Sequence, residues 1–245
     1  MRFAVPRRSI GFGVDYIPPA THMPRHQHAE AYATMVLHGA FEQTSYAGRL
    51  RLQPGDVLIQ PTLDCHSDHM LSRGVALIRF PWPREVTLGR VHRGCHIDLV
   101  QRVAERDICE ARALLEEELV GRRPVLPITW DWPDLLAADL AANPRLPIAQ
   151  WASSKGLTRE HVSRYFRSVY GATPTQFRLE LAARAAWFQI TGSSDPLSKI
   201  AANLGFADQA HMTRAVKALT GAPPARWRTS HLFKTASTAE PKLQL

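Results

Sequence analysis

Two segments of the chain repeat each other. WASSKGLTREHVSRYFRSVYGATPTQFR runs from Trp151 to Arg178, and IAANLGFADQAHMTRAVKALTGAPPARWR from Ile200 to Arg228. Ala152 and Gly156 recur 49 residues later as Ala201 and Gly205. His161, Arg164, Gly171, Pro174 and Arg178 recur 50 residues later as His211, Arg214, Gly221, Pro224 and Arg228, so the second copy has one extra residue in its turn. A repeat of this length signals a duplicated supersecondary unit.

Each copy has the logic of a helix-turn-helix. A short helix carries a small residue, Ala152 or Ala201, where a second helix must pack close. Four residues on, Gly156 or Gly205 closes that helix in a left-handed conformation. Thr158 or Asp208 then caps the next helix. The spacing predicts that this helix buries Val162, Phe166 and Val169 in one copy, and Met212, Val216 and Leu219 in the other. The opposite face carries Arg159, Glu160, Ser163, Arg164 and Arg167, or Gln209, His211, Thr213, Arg214 and Lys217. Side chains of these types donate to base edges and phosphates. Two helical hairpins with solvated outer faces are the plainer alternative.

Charge falls in the same place. The formal net charge is +8, and between Pro144 and His231 there are 12 basic and 4 acidic residues. A localised basic block suits a polyanion, either nucleic acid or an anionic membrane surface. No apolar run approaches the ~18–20 residues needed to span a bilayer. MRFAVPRRSI lacks the apolar stretch of a secretory signal. Cys65, Cys95 and Cys109 form no CxxC pair, so a reducing cytoplasm is expected.

The first half reads as strands. Segments 33–37, 49–52, 56–60 and 75–80 are short and β-rich, with turns expected at Gly39, Gly48, Pro54-Gly55, Pro61 and Gly74. This spacing favours an all-β barrel or sandwich. Residues 98–105 and 108–120 then show helical periodicity, ending at Gly121; they would cover the barrel or form a dimer seam. Residues 122–130 read as a linker, with Trp130 and Trp132 anchoring a helix over 133–142. Residues 233–245 read as a disordered tail. The fold class is thus α+β in two domains. Residues 1–121 form a β-barrel with flanking helices at about 95–120, and residues 131–232 form an all-α domain with two helix-turn-helix units.

IAANLGF followed by HMTRAVKALTGAPPARWR resembles the DNA-binding domain of the AraC/XylS family of bacterial transcription regulators. The resemblance covers Asp131 to His231. It implies a long helix over about 174–190 joining the two units. At ~1.5 Å per residue, 17 residues span ~25 Å, on the scale of the ~34 Å between successive major-groove faces. It also implies that Thr158 and Asp208, with the exposed residues named above, face double-stranded DNA, and that RNA polymerase is a partner. Ala210 departs from the family at a position that is often polar, and Val216 replaces a common Phe.

The first half resembles the cupin-like sensor domain of such regulators. In metal-binding cupins an HxH pair and a later His converge with a Glu on one divalent ion. His26, His28 and His66 match those histidines. Strand alternation sends His26 and His28 to one face, as chelation requires. The Glu position holds Tyr32 or Ala31 instead, leaving Glu30 with Asp64 or His69 to complete a site. A small organic effector in the barrel is the other reading of the same residues. His22, His38 and His69 read as surface histidines. Cys65 reads as a buried cysteine or a thiol sensor.

The resemblance implies a sequence-specific, cytoplasmic regulator, not an enzyme, that answers a small-molecule or metal effector and is a possible homodimer. The alternative is a metal-dependent cupin enzyme fused to a nucleic-acid-binding module. The missing Glu and the lack of a second ionisable pair for acid–base work weigh against it. A DNA alkyl-acceptor protein would need a cysteine cluster, and a DNA-bending protein would not need the PGD strand signature.

Overall fold

The computed structural model describes residues 5–83, 89–125, 127, 129 and 131–228. The expected tail at 233–245 and the anchoring role of Trp130 lie outside the described residues.

Seven antiparallel strands form one sheet: β1 (Gly13–Ile17), β2 (His22–His26), β3 (Tyr32–Ser45), β4 (Gly48–Leu52), β5 (Val57–Gln60), β6 (His66–Pro81) and β7 (Arg90–His92). The order is β1-β6-β3-β5-β7, with β2 added on β6 and β4 on β3. Among the described strands the sheet does not close into a barrel. Its shape comes from β3 and β6, which pair along most of their length. The sequence pattern puts turns at Gly39 and Gly74. Both glycines instead lie inside these long strands, where they make a bend. Their φ values are +77° and +68°, and a Cβ on Gly39 would sit 1.8 Å from the Gly74 carbonyl oxygen. The register shifts on either side of this point. Before the bend β3 pairs with β5, and after it with β4, so one strand serves two half-sheets.

Alternation divides the apolar residues between two faces. Val36, Phe41, Leu58, Met70 and Leu77 join Ile17, Leu50, Leu52, Val75 and Val91 in one cluster. Their sequence neighbours Met35, Val57 and Ile78 point the other way, into a cluster with Ala33, Ile59 and Phe80. Helices α1 (Ile97–Ala104) and α2 (Ile108–Leu119) supply Val100, Ala111 and Leu115 to this second cluster, all fully buried. The helical stripe therefore covers the sheet. Asp107 caps α2 by accepting from the backbone N–H groups of Cys109 and Glu110.

The remaining helices are α3 (Trp132–Ala142), α4 (Ile148–Ser154), α5 (Arg159–Tyr170), α6 (Pro174–Gly192), α7 (Leu197–Asn203) and α8 (Gln209–Thr220). The chain divides into two compact units. One consists of Val5–Asp139 with Pro147–Pro174, and so holds the sheet, α1, α2, α4 and α5. The other consists of Leu140–Leu146 with the chain from Thr175, and holds α7, α8 and nearly all of α6.

Within the first unit, Asp134 of α3 gathers several donors. Arg49 of β4 reaches it through Nε at 2.8 Å and Nη2 at 2.7 Å, and the Tyr170 hydroxyl donates to it at 2.8 Å. Asp131 accepts from Arg49 as well, and from the Tyr165 hydroxyl at 3.2 Å. Two carboxylates at the start of α3 also suit the positive end of its dipole. Burial, and then the Asp134 carboxylate, push the Tyr170 hydroxyl well above the ordinary tyrosine pKa.

Candidate functional site

The two repeated hairpins use the same backbone devices. In the first, the Leu157 N–H bonds back to the Ala152 carbonyl and the Gly156 N–H to that of Ser153. In the second, Phe206 bonds to Ala201 and Gly205 to Ala202. This is a Schellman closure, and it needs the left-handed glycine; φ is +68° at Gly156 and +76° at Gly205. Thr158 then caps α5 by accepting from His161 N–H at 3.2 Å, and Asp208 caps α8 by accepting from His211 N–H at 2.6 Å. Gly171 and Gly221 end the two helices, again left-handed.

A further repeat lies in the side chains. Arg178 donates to the Leu146 carbonyl at 3.1 Å, and Arg228 to the Asp195 carbonyl at 2.6 Å. Each accepting residue stands two places before a short helix, α4 or α7, and is followed by a proline. The paired arginines of the sequence repeat thus strap down the start of each hairpin.

In α5 the buried residues are Val162, Phe166 and Tyr170, while Val169, expected in that stripe, is only half-buried. Tyr170 takes its place because its ring stacks on Phe166 at 4.6 Å and its hydroxyl reaches Asp134. In α8, Met212, Val216 and Leu219 are buried as expected, with Ala215 and Thr220 beside them. Arg159, Glu160, Arg164 and Arg167 of α5 are exposed, as is Thr158, and Ser163 is half-buried. Gln209, Arg214 and Lys217 of α8 are exposed, as is Asp208, and His211 and Thr213 are half-buried. Each helix therefore presents a largely exposed polar and basic face. On the flank of α5, His161 and Tyr165 stack on each other, and both rings lie tilted against Trp132; the sequence pattern did not single out Tyr165. Trp132 anchors α3 as expected, against Trp151 at 6.0 Å.

The second candidate site lies in the sheet. A cavity of about 150 Å³ has apolar walls from Ile17, Phe41, Leu58, Met70 and Leu77 and a polar end from His26, His28, His66, Tyr32, Gln43 and Asp68. His26 and His66 are register partners on β2 and β6. All three histidines are buried, and one ligating nitrogen from each lies within 4.8 Å of the others.

Their rings are held in one sense. Each Nδ1 faces a backbone carbonyl: Pro24 at 3.0 Å for His26, Arg8 at 2.8 Å for His28 and Asp64 at 3.1 Å for His66. A carbonyl only accepts, so Nδ1 carries the proton and Nε2 presents its lone pair. The Gln60 amide nitrogen, also 3.1 Å from His66 Nδ1, donates to Asp64 Oδ2 at 2.6 Å. The Tyr32 hydroxyl lies 3.3 Å from His66 Nε2. Burial lowers the pKa of all three rings, to about 4 for His26 and about 3 for His66. Like charge on a neighbouring histidine acts in the same direction on His26 and His66. Neutral imidazoles with protonated Nδ1 and bare Nε2 are the form in which histidine ligates a metal ion, so these residues fit one.

The side chains expected to complete such a site, Glu30 with Asp64 or His69, are not gathered with the three histidines. Glu30 and His69 are exposed, and Asp64 bonds Gln60. The buried carboxylate at the cavity is Asp68, which the sequence pattern did not single out. His22 and His38 are exposed, and Cys65 is fully buried.

Among known families, a helix-turn-helix domain matches residues 151–230. No curated protein matches the chain significantly. Among solved structures, ToxT from Vibrio cholerae strain SCE256, with bound unsaturated fatty acid, is 10% identical over 94% of this chain and 97% of its own, with TM-score 0.37. The C-terminal domain of AraT, a response regulator from Geobacillus stearothermophilus, is 16% identical over 40% of this chain and 84% of its own, with TM-score 0.38. A transcriptional regulator with an AraC-type DNA-binding domain from Chromobacterium violaceum is 21% identical over 39% of this chain and 88% of its own, with TM-score 0.36. Among the described residues, no helix is long and apolar enough to cross a membrane. With its duplicated, similarly capped hairpins and this match, the stretch 151–230 is a helix-turn-helix domain.

Proposed function

We propose that the chain is a sequence-specific transcription regulator whose DNA binding answers an effector held in the cavity of the β-rich domain. One observation carries the reading: two copies of the same capped hairpin each offer an exposed basic helix face. Arg159, Arg164 and Arg167 on α5, with Gln209, Arg214 and Lys217 on α8, contact bases and phosphates of adjacent groove segments. Ser163, His211 and Thr213 add hydrogen bonds, and Thr158 and Asp208 sit where each helix enters the groove. Glu160 suits a cytosine amino group.

The proposal assigns an effector domain to 1–121, a linker to 122–130 and a DNA-binding domain to 131–232. The cavity joins an apolar wall to convergent polar groups, as small-ligand sites do. The effector acts by binding one conformation better than another, and so shifts DNA affinity. The protein works in the cytoplasm, contacts RNA polymerase, functions as a homodimer on its operator, and catalyses no reaction of its own.

The test is selection of duplexes from a random pool by the purified chain, followed by footprinting and a salt titration. A recurrent motif protected over two adjacent groove segments is expected. Affinity should fall steeply between 50 and 200 mM salt as counterions are released. A pool that stays random, or affinity indifferent to salt, sinks the assignment.

A further inference from the structure

Two buried oxygens at the polar end of the cavity lack a donor. Gln43 and Asp68 are register partners on β3 and β6, and both line the cavity. Gln43 Nε2 donates to Asp68 Oδ1 at 2.9 Å, which fixes both groups. Gln43 Oε1 is left without a hydrogen-bond partner, in a side chain that is 3% exposed. Asp68 is 5% exposed. Its Oδ2 lies 3.9 Å from His66 Nε2, which bears no proton because His66 Nδ1 faces the Asp64 carbonyl. The Tyr32 hydroxyl serves that nitrogen instead. Burial keeps the three rings neutral, so they supply no counter-charge. Arg79, at the same cavity, is paired with Asp15 at 2.7 Å, and Arg8 is exposed. A buried carboxylate in these surroundings is unfavourable until a donor of positive charge joins it. Apolar residues continue the same strand faces: Phe41 stands two residues before Gln43, and Met70 two after Asp68.

We propose that the cavity binds a small primary organic ammonium, its nitrogen on Asp68 Oδ2 and its hydrocarbon body along the wall of Phe41, Met70, Leu58 and Leu77. This rests on reading the cavity as the effector site, and it names the effector's chemistry. A primary ammonium carries three donors and no acceptor, so it suits a place where acceptors meet. Gln43 Oε1 and the bare Nε2 atoms of His26 and His28 are acceptors for the other two N–H groups. A carboxylate ligand would bring oxygens to oxygens, and an alcohol would leave Asp68 without its counter-charge. The cavity of about 150 Å³ matches one that holds a benzene-sized body, or about six carbons.

The experiment is calorimetric titration of the full chain at pH 7 with hexylammonium chloride, hexan-1-ol and sodium hexanoate, each alone. One equivalent of hexylammonium should bind, at least about tenfold more tightly than either analogue, the scale of one charge-assisted hydrogen bond. Asp68→Asn keeps the shape of the side chain and the acceptor for Gln43. It should lose that preference, with hexan-1-ol affinity unchanged. Leu77→Phe fills the cavity from its apolar wall and should weaken hexylammonium and hexan-1-ol alike. Circular dichroism of each variant checks its fold. No binding of hexylammonium by the wild-type chain overturns the proposal, as does an equal or greater affinity for hexanoate or hexan-1-ol. Undiminished hexylammonium binding in Asp68→Asn or in Leu77→Phe overturns it too. DNA affinity is measured on the same preparations with and without each compound. If hexanoate or hexan-1-ol shifts DNA affinity while hexylammonium does not bind, this inference fails and the effector reading stands. Hexylammonium binding in the expected pattern with DNA affinity unmoved supports the site and sinks the effector reading.

Discussion

Arg25 Nη1 donates to the backbone carbonyl of Tyr170 at 3.2 Å. Arg25 precedes His26 on β2, and Tyr170 is the last residue of α5. One strand thus carries a cavity histidine and a cation set against the negative end of the first basic helix. The Arg25 stem also packs where Gly171 lacks a side chain; a Cβ there would sit 3.1 Å from Arg25 Cβ. Strand β2 and the end of α5 are thus tied by a hydrogen bond and by packing. Arg25→Met keeps the apolar stem and removes the donor. Arg25→Met should lower stability by about 1 kcal/mol, the usual net worth of such a hydrogen bond. Denaturant titration measures it, and an unchanged midpoint would show that the contact carries no weight.

Arg164 and Arg214 occupy equivalent positions on the two exposed faces. Arg164→Ala or Arg214→Ala should each weaken binding to the selected operator by ~1–3 kcal/mol where the arginine reads a base, with specificity lost at that base pair. Stability should hardly change, because both side chains are exposed. Competition gel shifts against operators altered one pair at a time provide the measurement. If both variants match the wild-type chain, these helices do not present the reading face.

The buried histidines make the protein sensitive to acid. Their folded pKa values, about 4 for His26 and about 3 for His66, lie below the ordinary value of 6.5. Below pH 6.5 the unfolded chain takes up protons that the folded chain refuses, so stability falls as pH drops and levels off near pH 3–4. Asp68, raised by burial, works in the opposite sense. Arg8, Arg25 and Arg79 add positive charge around the cluster and disfavour protonation of the rings. Denaturant titrations at pH 7 and pH 5 should show a loss on the order of 1–2 kcal/mol for each such histidine. His66→Gln should flatten that slope, and an equal slope in the variant would dismiss the cause.

Gly39→Ala tests the bend shared by β3 and β6. The substitution imposes a side chain at φ +77° and a Cβ 1.8 Å from the Gly74 carbonyl oxygen. Neither can be relieved without separating the two strands. We expect a loss of more than about 3 kcal/mol in the β-rich domain, among the larger single-residue effects. A melting temperature within a few degrees of the wild-type value would show that the strands separate cheaply.

The helical half was largely legible because its signals are local. Glycine closures, caps and 3.6-residue periodicity placed α5 and α8 close to their observed bounds, and the family resemblance placed α6. Val169 misled because periodicity treats Val169 and Tyr170 as near equivalents, and only the distant Asp134 selects the tyrosine. In the sheet, Gly39 and Gly74 looked like turns because a bend shared by two long strands uses the same residue as a chain reversal. The histidine cluster was visible as a motif. Asp68 was not, since its relevance comes from the pairing of β6 with β2 and β3. The contact of Arg25 with Tyr170 spans 145 residues of chain and leaves no local trace.

In each repeated hairpin the scaffold and the text are written with different letters. The Schellman glycine, the capping oxygen and the arginine strap belong to one set of positions, and the solvent-facing side chains to another. Either half can therefore take a new sequence preference without its skeleton being rebuilt. The same independence makes α8 a natural place to graft altered specificity, one half-site at a time.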